Sequence, residues 1–320
     1  MKRFWFLCLI CASSGILFSK VDVGAHLILR QYFDTIEHEY PLNIQRVRPY
    51  IKFKEYSPFG NGESGEIEGE IEVDVGNQDG TIELKKAFIE WKQDNYWISL
   101  SAGFFKRGFW EPSVTGAYKL PCTFRDETSD LLRDKDISGR ALGLAFELEP
   151  PSELYSLYLQ AFETAIPNKK QAILGMELNP LSFVSFRFAA DYMPSVMSSE
   201  NSFDRLAFEF GTELDLGFVE WALYYLNSQD KDSRLAESID SWLTSILFFA
   251  GDFSIGFTYE TIDFYYENMS FVTEELEENL FFDLSYYPID ELRLQSGYRL
   301  LREDGEKRRN DIVLQAQANF

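Results

Sequence analysis

The sequence predicts an all-β fold, namely a closed antiparallel transmembrane β-barrel of about 16 strands whose long third loop folds inward. Three observations lead to this fold class. Apolar and polar residues alternate along most of the chain. No apolar run is long enough to span a membrane as a helix, which needs about 20 residues. The chain also begins with a segment that is typical of exported proteins.

The first residues have the pattern of a cleaved export signal. Lys2 and Arg3 form a basic end, and the apolar stretch Phe4–Ala12 follows it. This stretch is shorter than the roughly 20 residues that a helical anchor requires, so cleavage is the better interpretation. We expect the cut near Ser19, with Ser14 as the alternative. The sequence therefore divides into a signal peptide, residues 1–19, and one barrel domain, residues 20–320.

Alternation with a period of two is typical of strands that have one apolar and one polar face. Between Glu66 and Val75, for example, every second residue is acidic and the residues between are glycine or β-branched. The alternating runs predict strands at residues 20–30, 46–56, 65–75, 81–92, 95–105, 139–148, 155–163, 171–178, 183–192, 204–214, 217–227, 241–250, 252–261, 279–287, 291–301 and 310–320. Most are close to the roughly 9 to 11 residues that a tilted strand needs to cross a membrane.

The connections between these runs alternate between short and long, as in outer-membrane barrels, where periplasmic turns are short and external loops are longer. This alternation places both ends of the mature chain on the periplasmic side. The last strand ends in Phe320, and a terminal aromatic residue is typical of barrels assembled in the outer membrane. Pro49 interrupts the second strand, so we expect a bulge or an earlier strand end there. The longer connections are predicted at residues 31–45, 106–138, 194–203, 228–240, 262–278 and 302–309.

Composition and charge argue against several other classes. A soluble β-sandwich also alternates apolar and polar residues, but so many strands behind an export signal favour a membrane barrel. The net charge of -22 argues against a nucleic-acid partner, because phosphates bind surfaces rich in Lys and Arg. His26 and His38 are the only histidines, and no Gly-x-Ser-x-Gly motif occurs. The sequence therefore predicts no catalytic residue, no cofactor and no metal site.

The polar face of a barrel of this size is expected to surround water, since about sixteen strands leave an aqueous channel. Arg48 and Lys52 share one face of the predicted second strand, and Glu68 and Glu70 share a face of the third. We predict that all four line the pore. Their charges could pair across the strands or create a field across the lumen, and both interpretations stay open.

The longest connection, residues 106–138, is predicted to fold into the barrel and to narrow the pore, because long loops without structure of their own are usually functional or disordered. An external flap is the alternative. The predicted constriction residues are the charged residues of this connection and of the strand that follows it, namely Lys106, Arg107, Glu111, Arg125, Arg133 and Arg140.

Several segments around this connection resemble a known family. They are LKKAFIEW at residues 84–91, SAGFFKRGF at residues 101–109 and RDKDISG at residues 133–139. Together with Arg125 they are similar to the phosphate-selective porins of the O and P type. The resemblance implies a trimeric porin whose third loop forms the constriction and whose basic lumen attracts anions. It also implies which residues meet a permeating anion, namely Lys106, Arg107, Arg125, Arg133 and Arg140.

The chain departs from this family in its acidic inward positions, which include Glu147, Glu177 and Glu220. Anion preference and a weak cation preference therefore both stay open. We predict a porin of the bacterial outer membrane through which small hydrophilic or ionic solutes, including anions such as phosphate, diffuse passively. The predicted partners are these solutes, outer-membrane lipid and further copies of the chain in a homotrimer. The alternative is a non-conducting structural or adhesion barrel, which the acidic segment Glu274–Glu278 favours.

Overall fold

Antiparallel strands make up almost all of the structure, which is a computed structural model. The predicted signal peptide, residues 1–19, and Phe320 lie outside the described residues. The structure describes residues 20–34, 42–58, 64–75, 82–93, 97–110, 112, 126–134, 137–150, 152–164, 170–194, 204–231, 235–268, 271–289, 291–303 and 306–319.

The strands follow one another along the chain, with a single described helix of eight residues or more between the fifth and sixth. The strands are β1 (Lys20–Asp34), β2 (Leu42–Pro58), β3 (Ser64–Val75), β4 (Ile82–Gln93), β5 (Ile98–Lys106), β6 (Arg140–Leu148), β7 (Tyr155–Glu163), β8 (Lys170–Leu181), β9 (Val184–Met193), β10 (Asp204–Asp215), β11 (Val219–Lys231), β12 (Leu235–Ala250), β13 (Phe253–Asn268), β14 (Phe271–Ile289), β15 (Leu292–Glu303) and β16 (Glu306–Asn319). The helix is α1 (Glu127–Asp134).

Each strand pairs with its neighbours in sequence, and β1 pairs with β16, so the sheet closes into a barrel. In the closing pair, Leu29 lies opposite Ala316 and Ile28 lies opposite Gln317. Closure leaves no strand edge with unpaired backbone groups, which is the condition for a sheet to cross a lipid bilayer. The predicted fold class, a closed antiparallel barrel of 16 strands, is confirmed.

The strands differ in length around the barrel. β5, β6 and β7 have 9 residues each, which is near the roughly 9 to 11 that cross a membrane. β12, β13 and β14 have 16, 16 and 19 residues, so they extend well beyond that thickness. None of the helices in the described residues has the length and apolar character needed to cross a membrane.

Four of the predicted long connections are wrong in extent. The segment predicted at residues 31–45 is shortened at both ends, because β1 continues to Asp34 and β2 begins at Leu42. The segments predicted at residues 228–240, 262–278 and 302–309 consist mostly of strand, because β11 to β16 continue into them. Ile262 pairs with Glu277, and Tyr265 pairs with Glu274. The acidic cluster interpreted as a loop is therefore part of β14. The segment was predicted as a loop because its side chains are too polar to face lipid. It is strand because backbone hydrogen bonding with β13 continues beyond the apolar part of the hairpin.

The irregularity expected at Pro49 lies nearby. β2 runs through Pro49, which lies opposite Ala25 of β1. The register shifts between Ile28 and Leu29 of β1, where Gln45 has no opposite residue. Proline has no backbone N–H, so it cannot donate a hydrogen bond to the neighbouring strand that it faces. The ladder between β2 and β3 accordingly contains no pair at Pro49.

Candidate functional site

The two faces of the barrel wall differ sharply in chemistry. On β14, Phe282 and Leu284 are 49% and 44% exposed, whereas Asp283 and Ser285 between and beside them are each 1% exposed. Successive strand residues point to opposite faces, so the apolar set points outward and the polar set points into the barrel. The lumen is therefore the candidate site.

Ionic side chains form a ladder on the inner faces of β2, β3 and β4. Arg48 contacts Glu72 at 3.1 Å and Asp74 at 2.8 Å. Lys86 reaches Glu70 at 3.1 Å. Lys54 and Lys92 both contact Glu68, at 3.1 and 3.5 Å, and Lys54 also contacts Glu66. The β2–β4 ladder therefore contains three of the predicted pore-lining residues, Arg48, Glu68 and Glu70, each in an ion pair between strands.

Within this ladder several carboxylates lie deeper in the wall than the ammonium groups. The side chains of Lys54, Lys86 and Lys92 are 33%, 29% and 32% exposed. Those of Glu66 and Asp74 are only 4% and 6% exposed. Because lysine carries its charge on a long stem, its ammonium group reaches toward solvent while the shorter acid stays at the wall.

The β5–β6 connection, residues 107–139, begins with contacts to neighbouring strands. The N–H of Gly108 donates to the side chain of Gln160 at 2.7 Å. The carbonyl of Gly108 accepts from the Tyr158 hydroxyl at 2.7 Å and from Arg187 at 3.0 Å. These three side chains lie on the inner faces of β7 and β9, so they hold the first turn of the connection against that wall.

Trp110 extends these contacts to β10. Its backbone N–H donates to Glu209 at 2.7 Å, and its ring is fully buried. The φ angle of Trp110 is 63°, a conformation that costs energy for a residue with a side chain. The same carboxylate of Glu209 lies 3.4 Å from Arg187. The hydrogen bond from the Trp110 N–H to Glu209 and the burial of the Trp110 ring stabilise this strained backbone conformation.

Helix α1 lies against strands on the far side of the barrel. Thr128 donates from its N–H at 2.9 Å and from its hydroxyl at 2.6 Å to Glu260 of β13. Its hydroxyl also lies 2.6 Å from that of Ser241 on β12. Asp126 caps the helix, because its carboxylate accepts from the N–H of Ser129 at 3.1 Å. β13 is eight strands from β5 in the closed order, so these contacts join opposite walls.

A second group of contacts holds the end of the connection, just before β6. Arg107 donates to the carbonyl of Ser138 at 2.9 Å, and Gln171 donates to the carbonyl of Ile137 at 2.9 Å. Both Arg107 and Gln171 are buried. Beside them, Arg205 contacts Asp191 at 3.2 Å with both side chains fully buried. The end of the connection is thereby tied to its own beginning and to the inner face of β8.

Apolar side chains occupy inward positions that the alternation rule would assign to polar residues. Phe109, Trp110, Leu132 and Ile137 of the connection are fully buried and pack in one cluster with inner-wall residues. The wall contributes Tyr158, Phe162, Ile173, Leu226, Ile239, Leu243 and Ile262 to this cluster. Sequence reasoning missed it, although Leu226, Ile239 and Leu243 lie at the same inward parity as Ser228 and Ser241 and could have indicated it.

The predicted constriction residues do not form one group. Lys106 ends β5 opposite Arg140, and Arg140 lies 4.0 Å from Glu72. Arg133 is 56% exposed and contacts Asp130, one turn earlier in α1, at 3.0 Å. Arg107 is buried, and its guanidinium donates to the backbone carbonyl of Ser138. Glu111 and Arg125 lie outside the residues whose side chains the structure describes.

Four inward carboxylates lie toward the end of the barrel where the last strand ends. Glu147 of β6 faces Ser99 and Tyr158, and Glu177, Glu213 and Glu220 occupy inward positions on β8, β10 and β11. None of the four forms an ion pair with a cationic side chain in the described part of the chain. Among the same residues, no cluster of His, Cys, Asp or Glu could hold a metal ion.

Known structures with the same architecture are outer-membrane proteins. A loop L8 deletion mutant of OmpT from Vibrio cholerae matches with a TM-score of 0.76 and 12% identity, over 94% of this chain and 99% of that one. The trimer form of OmpT matches with a TM-score of 0.73 and 13% identity, over 94% and 99%. An anion-selective porin from Comamonas acidovorans matches with a TM-score of 0.69 and 10% identity, over 94% and 99%.

Sequence comparison adds nothing to these structural matches, since no protein-family model and no curated protein sequence matches the chain. At 10% to 13% identity, the similarity shows the fold alone. It agrees with the closed barrel seen here and does not show membership of the phosphate-selective O and P family.

Proposed function

We propose that the protein is a porin of the bacterial outer membrane, a water-filled channel through which small hydrophilic or ionic solutes diffuse passively. The observation that carries this proposal is the closed barrel with an apolar outer face and charged groups on its inner face. Sixteen strands enclose more space than their own side chains fill. Similarity to solved porins supports the same conclusion.

The β5–β6 connection is proposed to form the constriction of this channel. It leaves the wall at β5, contacts β10 through Trp110 and reaches β12 and β13 through Thr128. A segment tied to opposite walls reduces the cross-section available to a solute. Because its apolar cluster packs against β7 to β13, the path is proposed to run beside the β2–β4 ladder.

A cation preference fits the inward charges better than the anion preference that the family resemblance implies. The carboxylates of Glu147, Glu177, Glu213 and Glu220 form no ion pair with a described cationic side chain, whereas most described lysines of the ladder are paired with acids. Unpaired fixed charge of one sign raises the local concentration of the opposite ion. We propose that the channel passes cations more readily than anions.

Planar-bilayer recording tests both parts of the proposal. Refolded protein should produce stepwise conductance increments, and a folded but silent barrel would favour the structural or adhesion alternative. In a salt gradient, the sign of the reversal potential should indicate cation preference. Replacing the four carboxylates together with Gln should shift that potential toward anions. Replacing the outer-face acids Glu55, Glu163, Asp240 and Glu278 with their amides instead is the control with the same change in charge.

Location and assembly follow from the same proposal. Expressed with its export signal, the chain should fractionate with outer membranes, and residues 1–19 should be absent from the mature protein. A homotrimer is proposed because the solved OmpT structure includes a trimer form. Mass measurement of the detergent-solubilised barrel should give three chains, and a monomer would contradict the assembly without affecting the channel.

A further inference from the structure

A cavity of about 350 Å³ opens on the inner wall where β1, β2 and β3 adjoin. It lies toward the end of the barrel where β1 begins and β16 ends. The groups that line it include Phe88 and equal numbers of basic and acidic side chains, namely Lys20, Lys52 and Lys54 with Asp22, Glu68 and Glu70. A cavity with both signs of charge close together is complementary to a solute that itself carries both.

Lys52 has no acidic partner in the described part of the chain. Its ammonium group lies over the ring of Tyr50, 4.9 Å from the centroid. Glu70 is directly opposite Lys52 on β3, yet the carboxylate of Glu70 is bonded to Lys86 at 3.1 Å. Lys52 can therefore bind an anionic group in this cavity without first breaking an ion pair.

Asp22 lies directly opposite Lys52 on β1, but the two do not form an ion pair. Asp22 instead contacts Lys20 at 3.1 Å, and the two side chains are 54% and 67% exposed. Exposed ion pairs of this kind contribute only about 0.2 to 1 kcal/mol, so a second ammonium group can compete for the carboxylate. Directly opposite residues have Cβ atoms about 4.5 to 5.5 Å apart, which suits charges at the two ends of a small molecule.

We propose that this cavity binds zwitterionic solutes, such as amino acids and short peptides, with the solute carboxylate at Lys52 and the solute ammonium group at Asp22. The proposal rests on the proposed channel for the delivery of solutes, and the site itself is formed by the wall. Phe88 supplies an apolar surface beside the charged groups. Lys54 and Glu68 are already paired with each other at 3.1 Å and line the cavity without needing to rearrange.

Saturation-transfer NMR on the refolded barrel in detergent tests binding directly, with glycylglycine as the probe. Glycylglycine should give a saturable signal, whereas acetate and methylammonium, each with one charge, should bind at least about fivefold more weakly. Lys52→Gln and Asp22→Asn should each weaken glycylglycine binding about fivefold. The matched controls are Lys170→Gln and Glu163→Gln, which remove an exposed ion pair of 2.9 Å outside the cavity.

Current recordings separate this proposal from the channel. Glycylglycine should reduce the ion current of the unmodified protein, and less so that of the Lys52→Gln variant. A conducting barrel that shows no saturable glycylglycine signal would overturn the zwitterion site alone. Equal binding of acetate and glycylglycine would also overturn it, because it would indicate a simple anion site. A silent barrel that still binds glycylglycine would overturn the channel and leave the site in place.

Discussion

The N–H of Thr128 donates a hydrogen bond of 2.9 Å to the carboxylate of Glu260, although 132 residues separate them in the chain. The hydroxyl of Thr128 donates to the same oxygen at 2.6 Å. One acidic residue on β13 thus holds the start of helix α1, whose connection leaves the barrel wall eight strands away. These two bonds join the proposed constriction to the wall opposite β5.

Removing that carboxylate should loosen the constriction. In the variant Glu260→Ala, two buried donors of Thr128 lose their acceptor, and hydrogen bonds to charged groups contribute about 1.5 to 3 kcal/mol each. We expect a larger single-channel conductance and a lower free energy of unfolding. Glu163→Ala removes an exposed carboxylate on the outer face of β7 that does not contact the connection, so its conductance increment should stay close to that of the unmodified protein. Equal increments for Glu260→Ala and the unmodified protein would show that α1 does not limit the pore.

A glycine on β8 sets the position of an aromatic ring that supports the connection. The ring of Tyr158 lies across Gly175, and a Cβ at that position would overlap the ring. Gly175→Ala should push the ring off the wall toward Gly108, at a cost of about 1 to 3 kcal/mol in unfolding free energy. Denaturant unfolding in lipid vesicles measures this cost.

A double-mutant cycle provides the control for that prediction. Tyr158→Leu alone loses the hydrogen bond to the Gly108 carbonyl and lowers stability by itself. In that background, Gly175→Ala should cost little, because the ring that it displaces is gone. If Gly175→Ala costs the same with and without the ring, the overlap is not the cause of the destabilisation.

The ion pair between Arg205 and Asp191 should be sensitive to loss of one partner. Both side chains are fully buried, and breaking a buried pair leaves an uncompensated charge that costs about 3 to 5 kcal/mol. Asp191→Leu should therefore destabilise the barrel strongly in urea unfolding. The double variant Asp191→Leu, Arg205→Leu should be markedly more stable than Asp191→Leu, and the reverse order would contradict this account.

Leu144 tests whether the outer face of the barrel contacts lipid. It lies in the middle of β6 and is 63% exposed. Leu144→Arg should lower the free energy of unfolding in phospholipid vesicles by about 2 to 4 kcal/mol, since a charge at mid-membrane is costly. Leu144→Ala removes the same side chain without adding charge and should cost less. Equal stability of the two variants would mean that this face does not lie in the hydrocarbon.

Most of the fold was predictable because its cause is local. Successive side chains of a strand point alternately into and out of the barrel, so a run such as residues 65–75 identifies both the strand and its two faces. The extent of β11 to β16 was less predictable, because backbone pairing continues past the apolar segment. The ladder was also foreseeable, since Arg48, Glu68 and Glu70 share neighbouring inner faces. Lys52 was predicted on the correct face. The sequence could not show that Lys52 lies opposite Asp22 without forming an ion pair with it.

The sequence by itself determined a two-faced, sixteen-stranded closed sheet, because period-two patterning and turn spacing are properties of neighbouring residues. Tertiary structure alone decided which inner side chains meet across the barrel. Trp110 donates a hydrogen bond to Glu209, 99 residues away in the chain, and Thr128 donates one to Glu260, 132 residues away. Such contacts exist only after the sheet closes in one register, since closure brings opposite walls within reach of a single connection.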